Sequence, residues 1–555
     1  MERRLPIVLF ILFSAFFWVA NKGAYKGYFE DDDLDNLSFT REILLPDYLY
    51  TTFSPRVFDN NFRPVGHLFF RVMGQAAGLN FTPYILFLTV FHLANLMLLW
   101  LLLRRMGMTL WASAAACLFW GFHMAAFDVF WKPMYVFDLL CGLFCLLSLL
   151  AYVNGRWILS LLAMWIAYRS KEVAVMLPAV LAAYEFLLGQ WRWKRLIPFF
   201  AVSLMLGLQA LTINRSRDNA YTLHFDPRSI WTCVQFYASK IFLVRFAGFA
   251  IFLAALSRDR RVWFGLLGFC FLLFPMVLLP GRLFSAYLYV PLIVLSIAIA
   301  ALADKRGVSA LALVVVLWVP WNYVNLRWNR RAALYAADSR RAIVARLLEF
   351  APKNPEVRNF IGTVSPLNYY GLYAAVRLAY PIYTPIVFSM VDTPESAEKL
   401  KNYPLALLNW DNNKHDLGIV LKRAETPDTP YIRMGADLPL WQLEEGWYEA
   451  DEGYRWTKAT GASARLRRPQ GARHFELVVN VGEEYIRILQ KSHVTVSIDD
   501  SVAGESDFTK RGYHTVRWDL PPTPAGPVRV TIRSEPAFPG ERVLGIAVVS
   551  FGFVP

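Results

Sequence analysis

The stretch GYFEDDDLDNL, residues 27–37, carries five carboxylates: Glu30, Asp31, Asp32, Asp33 and Asp35. Crowded carboxylates raise one another's pKa, which suits a general base only where a cation or a metal ion balances them. Cations are found elsewhere in the chain, in YRSKEVAVMLP (168–178) with Arg169, Lys171 and Glu172, and singly at Arg63 and Arg282; Asp128 is a further acid. An ammonium near a membrane surface can meet a phosphate without being deeply buried. A base for a nucleophile and a cation for a leaving phosphate are the two halves of a group transfer. Each group also has a plainer reading: a solvated helix cap for the acids, interfacial snorkelling for the cations. His67, His92 and His123 show no metal-ligand spacing, and His92, in mid-span, reads as a helix–helix hydrogen bonder.

These residues must be positioned by membrane helices. The chain has 555 residues, 56% hydrophobic and 18% charged, and residues 5 to about 324 are a succession of apolar runs. Eleven spans are expected: 5–20, 81–103, 109–123, 134–153, 156–168, 172–189, 196–213, 229–256, 262–279, 283–302 and 308–324. The pair around 156–189 is the weakest. MERRLPIVLFILFSAFFWVANKG resembles a secretory signal peptide but lacks a convincing small-residue cleavage site, so it reads as an uncleaved first helix. The net charge of +14 is scattered in small basic groups between apolar runs, the pattern of membrane loops rather than of a nucleic-acid surface. All five cysteines fall in expected spans, which implies packing residues and no disulfide framework.

Alternate loops carry Arg3 and Arg4; Arg104 and Arg105; Arg156; Arg192, Lys194 and Arg195; Arg258, Arg260 and Arg261; Lys305 and Arg306. The positive-inside rule makes that side, with the N-terminus, cytoplasmic and sends the tail to the other face. The long loop 21–80, the region 124–133, the turn at 169–172, the loop 214–228 and the turn at 280–282 then share the non-cytoplasmic face, and with them the acids and cations named above. Arg215 and Arg217 in the loop 214–228 are weaker candidates, better read as solvated.

Several segments, in order, resemble the GT-C superfamily of polytopic glycosyltransferases, in particular its protein O-mannosyltransferase branch and tetratricopeptide-bearing relatives. FEDDD (29–33) resembles the aromatic and paired-acid motif of the first outward loop. NNFRPVGHLFF (60–70) is similar to the aromatic-Arg-Pro segment, and FHLANLMLLWLLLRRMG (91–107) to the His- and Asn-bearing second span. GFHMAAFDVFWKPMYVFDLL (121–140) resembles the His-then-acid loop with a later Asp, giving His123, Asp128 and Asp138. YRSKEVAVMLP matches the Ser-Lys-Glu motif most closely. YLYVP (287–291) lacks the Glu-Arg pair that often precedes it in the family, and Arg282 is a replacement cation.

The resemblance implies a sugar donor on a polyprenyl phosphate and an inverting transfer. Asp32 aligns with the first paired acid and is the implied general base, with Asp31 and Asp33 as rivals and Asp128 as a second acid. Lys171 is the implied phosphate contact, Arg169, Arg63 and Arg282 are secondary, and Glu172, His123 and Asp138 are supporting residues. No cofactor is required; a divalent cation, Mg or Mn, is an option for the acids.

The expected architecture is a polytopic α-helical GT-C-like membrane domain (1–324, with the outward loop 21–80), a linker helix and small α/β region (325–440), and a jelly-roll-like β-sandwich (441–555). The last rests on alternating runs such as FELVVNV, HVTVSID and VRVTIRS between Gly, Pro and Asp turns. Trp447, Tyr448, Tyr454 and Trp456 would stack on sugar rings if exposed, or pack the core if not. The functional expectation is an integral membrane glycosyltransferase, in the plasma (inner) membrane if the source is a bacterium, acting on a protein or glycan acceptor at the non-cytoplasmic face, with no nucleic-acid partner. A transporter or flippase of lipid-linked glycans and a non-catalytic GT-C-like scaffold are the alternatives.

Overall fold

Apolar runs in hydrocarbon must satisfy their backbone N–H and C=O groups internally, and helices do so. A computed structural model describes residues 4–58, 62–213, 220–363, 365–391, 404–422, 428–434, 439, 442–451, 453–539 and 543–555. Among the described residues eight helices are long and apolar enough to cross a membrane: Leu5–Lys26, Phe81–Arg105, Leu110–Trp131, Pro133–Val153, Trp193–Thr212, Arg260–Val277, Ser285–Ala303 and Val308–Lys353.

The other three expected spans are short or broken. Trp157–Ser170 has 14 residues, about 21 Å of helix at 1.5 Å per residue against a hydrocarbon core of about 30 Å. It stops because Lys171 is extended, at φ −162° and ψ 144°, and the chain resumes as a 3₁₀ turn, Glu172–Met176, and a helix, Leu177–Leu187. The run 229–256 divides into Pro227–Ile241 and a 3₁₀ segment, Ala247–Leu256, because Leu243 and Phe246 take left-handed conformations between them.

Two units make up the chain: Met1–Phe29 with Tyr48–Ala337, and Glu30–Asp47 with Asp338–Pro555. In the first, Ser285–Ala303 is buried on nearly every side and packs against Arg260–Val277 and Leu110–Gly121. Gly265 makes that packing close: a Cβ there would lie 2.5 Å from the backbone nitrogen of Ala298. A buried polar network ties the start of this helix to its neighbours. His92 bonds the Gly121 carbonyl (2.9 Å) and the Tyr289 hydroxyl (3.0 Å), Asn95 donates to Tyr289 Oη (3.0 Å) and to the Leu139 carbonyl (2.9 Å), and Trp120 Nε1 donates to the Tyr289 carbonyl (3.0 Å). His92 is thus a helix–helix hydrogen bonder.

In the second unit β1 (Asn359–Gly362) lies parallel to β2 (Val387–Met390) and β3 (Leu405–Asp411), and β4 (Asp416–Lys422) runs antiparallel to β3. The helix Tyr369–Ala379 connects β1 to β2, and Asp31–Thr40 packs on it. Their contact passes over Gly371, where a Cβ would meet Asp31 Oδ1 at 2.2 Å and its Cα at 2.8 Å. Gly371→Ala is expected to destabilise this unit by about 1–3 kcal/mol, as overpacking does, read as a lower denaturation midpoint of the full chain in detergent.

The β-sandwich follows. After β5 (Tyr431–Arg433) and β6 (Trp447–Asp451) come β7 (Tyr454–Lys458), β8 (Ala462–Arg468), β9 (His474–Val481), β10 (Ser492–Ile498), β11 (Ser501–Phe508), β12 (Gly512–Asp519), β13 (Gly526–Glu535) and β14 (Leu544–Val554). One sheet runs β7-β14-β9-β12, with β6 beside β7 and β5 pairing β14; the other runs β8-β13-β10-β11. Counted from β7, these are strands 1-8-3-6 and 2-7-4-5, the connectivity of a jelly roll. Phe475, Val479 and Ile546 of the first sheet share one core with Val494, Val530 and Ile532 of the second. Trp447 and Tyr448 are 1% and 6% exposed, and Trp447 stacks on Phe551 while its Nε1 donates to the Ser463 carbonyl (2.7 Å). Neither ring presents a face to a sugar. Trp456 packs against the same core, with Tyr454 edge-on to it.

Candidate functional site

The first unit gathers three cations from separate segments. Lys171, in the break between two helices, places its ammonium 2.7 Å from both carboxylate oxygens of Asp138, in the first turn of the helix Val136–Val153, where the helix dipole favours an acid. The ammonium also lies 4.5 Å from the centre of the Tyr287 ring. Arg282 Nε donates to the Tyr287 hydroxyl at 3.0 Å, and its guanidinium sits 4.2 Å from the centre of the Tyr221 ring. Two cations therefore bracket one tyrosine. Tyr287 stands two residues before Tyr289, so the buried network of His92, Asn95 and Trp120 holds the segment that carries it.

Glu172 takes Arg63 rather than its neighbour Lys171. It accepts from Nε at 2.7 Å and Nη2 at 3.0 Å, a two-pronged pairing that leaves Nη1 as the guanidinium donor outside the pair. Burial alone would weaken the protonated guanidinium, but Glu172 outweighs it and holds Arg63 charged. Arg63 also covers the Phe137 ring at 5.3 Å, next to Asp138 in sequence, so the two ion pairs adjoin. Exposure rises from 4% at the Asp138 side chain to 45% at Glu172, which gives the cluster one open side. His67 sets the conformation of Arg63: its Nδ1 lies 2.9 Å from the Arg63 backbone N–H, and its ring stacks on Phe62. Burial pushes His67 down to about 3, so it is neutral at physiological pH.

The remaining first-unit candidates lie on other contacts. Arg169 donates to the Ser54 carbonyl and, at 2.9 Å, to that of Arg56, with its guanidinium over Trp165, which clamps the segment after the helix Leu45–Phe53. Asp128 pairs with Lys132 one turn on (3.0 Å). His123 is fully buried between the Ile241 carbonyl (2.8 Å) and the Ala125 N–H (3.2 Å). Arg215 and Arg217 fall outside the described residues.

The acids at 30–35 belong to the second unit and open the helix Asp31–Thr40. Asp33 is buried in a capping box: its carboxylate accepts the Glu30 N–H (2.8 Å), and the Glu30 side chain accepts the Asp33 N–H. Glu30 also pairs with Arg340 at 2.7 Å. Asp31 accepts the Asn368 N–H at 2.7 Å. Burial pushes its carboxyl up, and the Asn368 bond and Arg340 pull it partly back. Asp32 is exposed. Among the described residues no group of three or more His, Cys, Asp or Glu side chains is arranged to hold a metal ion. Asp31 and Asp33 each direct one carboxylate oxygen at a backbone N–H group.

Tyr287, Tyr221, Phe137 and His67 have no assigned role in the sequence reading, although Tyr287 opens the quoted YLYVP. Its signal is the spacing of Arg282 and Tyr287 across a tight turn, which brings a guanidinium to a phenol. Tyr287→Phe removes the acceptor for Arg282 but keeps the ring beneath Lys171. A hydrogen bond to a charged group contributes about 1.5–3 kcal/mol, so Tyr287→Phe is expected to lower the denaturation midpoint of the chain in detergent, and Tyr287→Ala to lower it further.

No protein-family model and no curated protein matches the chain. Among solved structures the chain is similar to ArnT from Cupriavidus metallidurans bound to undecaprenyl phosphate, with 14% identity over 76% of this chain and 99% of that one and a TM-score of 0.48. Apo ArnT from the same organism gives 14% identity, 74% and 94% coverage and a TM-score of 0.46. The arabinofuranosyltransferase AftD from Mycobacteria gives 11% identity and a TM-score of 0.41; all of this chain is covered, spanning 61% of that one.

Proposed function

We propose that the chain is an integral membrane glycosyltransferase of the inverting GT-C type, which moves a sugar from a polyprenyl-phosphate donor to a protein or glycan hydroxyl on the non-cytoplasmic face. The observation that carries this reading is the pair of cations about Tyr287: Lys171 on its ring and Arg282 on its hydroxyl. Asp138 and Glu172 keep Lys171 and Arg63 oriented before a phosphate arrives. As the bond from the anomeric carbon to the phosphate oxygen breaks, negative charge grows on the phosphate, and Lys171 and Arg282 stabilise it. The acceptor oxygen attacks the opposite face of that carbon, inverting its configuration, and gives its proton to a carboxylate. Asp32, an exposed acid in the first turn of its helix, is the proposed base.

The test compares membranes from cells carrying the wild-type chain and the Lys171→Met variant, by the masses of their glycans, glycoproteins and lipid-linked sugars. Loss of one glycosylated product together with accumulation of its lipid-linked sugar is the expected result. An unchanged product profile would overturn the reading. Movement of a lipid-linked sugar between leaflets without a transferred product would identify a transporter instead.

A further inference from the structure

A second feature of the membrane unit lies away from the Lys171 cluster. Between the first helix and the helices Phe81–Arg105, Leu110–Gly121 and Val308–Leu313 runs an apolar groove of about 560 Å³, lined by residues that include Phe10, Phe13, Met97, Trp100, Leu118 and Val315. Its volume is that of a ligand cleft. One wall carries a π-helical stretch, Val314–Trp318, the kind of irregularity that recurs at binding sites.

The groove is near one end of the bundle. Trp100 precedes Arg104 by one turn, and Arg104 donates to the Met108 carbonyl. The next residue, Thr109, donates its N–H to Asp304 at 2.7 Å, and Asp304 also pairs with Arg261 at 3.0 Å. Asp304 directly follows the helix Ser285–Ala303, whose opposite end carries Tyr287, the ring that Lys171 meets. That helix has 19 residues, so the two ends are separated by about 28 Å. Where the lining segments run out toward the near end, the exposed side chains include the cations Arg4, Arg104, Arg105, Lys305 and Arg306. Among the described residues the acids beside them are Asp304, held by Arg261 and Thr109, and Asp259, held by Arg261 at 2.7 Å.

We propose that this groove is a binding site for an anionic phospholipid of the bilayer, its acyl chain along Phe13, Met97 and Trp100 and its phosphate within the basic rim. Charge complementarity selects this occupant: clustered cations at one end of a transmembrane groove favour an acidic headgroup. A prenyl chain whose phosphate lay at Lys171 would place its own charge at the wrong end. The inference is independent of the proposed transfer reaction.

The test is native mass spectrometry of the full chain in detergent, titrated with dioleoyl phosphatidylglycerol or dioleoyl phosphatidylcholine. One phosphatidylglycerol per chain is expected, at a concentration at least about tenfold below that needed for phosphatidylcholine. Met97→Trp and Leu12→Trp, each adding bulk at an exposed lining position, are expected to remove that retention with the melting midpoint unchanged. Arg105→Ala with Lys305→Ala is expected to equalise the two lipids. Equal retention of both by the wild type would overturn the proposal. So would retention that survives both tryptophans, displacement of phosphatidylglycerol by undecaprenyl phosphate, or a dimer that the tryptophans dissociate.

Discussion

Lys171→Met is expected to lower the proposed glycosyl transfer by about 10²–10³-fold, the loss seen when one preorganised charge-stabilising donor is removed. The same change leaves Asp138 buried without its ammonium, and breaking such a pair costs about 3–5 kcal/mol. Loss of activity in this variant alone would therefore be ambiguous. Lys171→Met with Asp138→Leu separates the two effects, because replacing a buried ion pair by apolar side chains is often neutral or stabilising. The double variant is expected to melt near the wild type and to remain inactive. If it melts normally and transfers sugar, the pair serves the fold alone and the phosphate role assigned to Lys171 is wrong.

Asp32→Asn is expected to reduce turnover by about 10²–10⁴-fold, the usual contribution of a general base, with no change in melting, since Asp32 is exposed. Asp33→Ala should behave in the opposite way. It removes the acceptor of the Glu30 N–H, so a loss of about 0.5–2 kcal/mol in stability is expected with turnover per folded molecule preserved. Turnover by membranes and melting in detergent, measured on the same preparations, distinguish the two. If Asp31→Asn rather than Asp32→Asn abolishes transfer, the base is Asp31, whose burial already pushes its carboxyl toward the range of a base.

The helical framework was legible because spans announce themselves by length and composition. The exceptions have local causes. Nothing in FLVRF (242–246) warns of a break, since neither glycine nor proline is present, yet Leu243 and Phe246 both turn left-handed. The helix ending at Ser170 is short because the charged run RSKE (169–172) closes it and Lys171 turns toward Asp138. In the sandwich, alternation identified the strands but not the fate of Trp447 and Tyr448. Neighbours on a regular strand face opposite sides, whereas the register of β6 against β7 shifts between Trp447 and Ala450, and both rings are buried. In the candidate site, charged residues stand out in apolar surroundings, but their partners do not. Arg63 and Glu172 are 109 positions apart, and adjacency in sequence would have paired Glu172 with Lys171.

The route of the chain through the second unit bears on biogenesis. Asp31 and the Asn368 N–H that it accepts are separated by 337 positions, and β14, between β9 and β7, is the last strand to emerge. During synthesis at about 5–20 residues per second, the acidic helix must wait tens of seconds for the helix that covers it, through the insertion of every apolar span between them. The sandwich meanwhile holds open strand edges until its final segment arrives, and unpaired edges invite misassembly. Chains stalled or cut before residue 544 would therefore be substrates for quality-control proteases, even with every charged residue of the site already made.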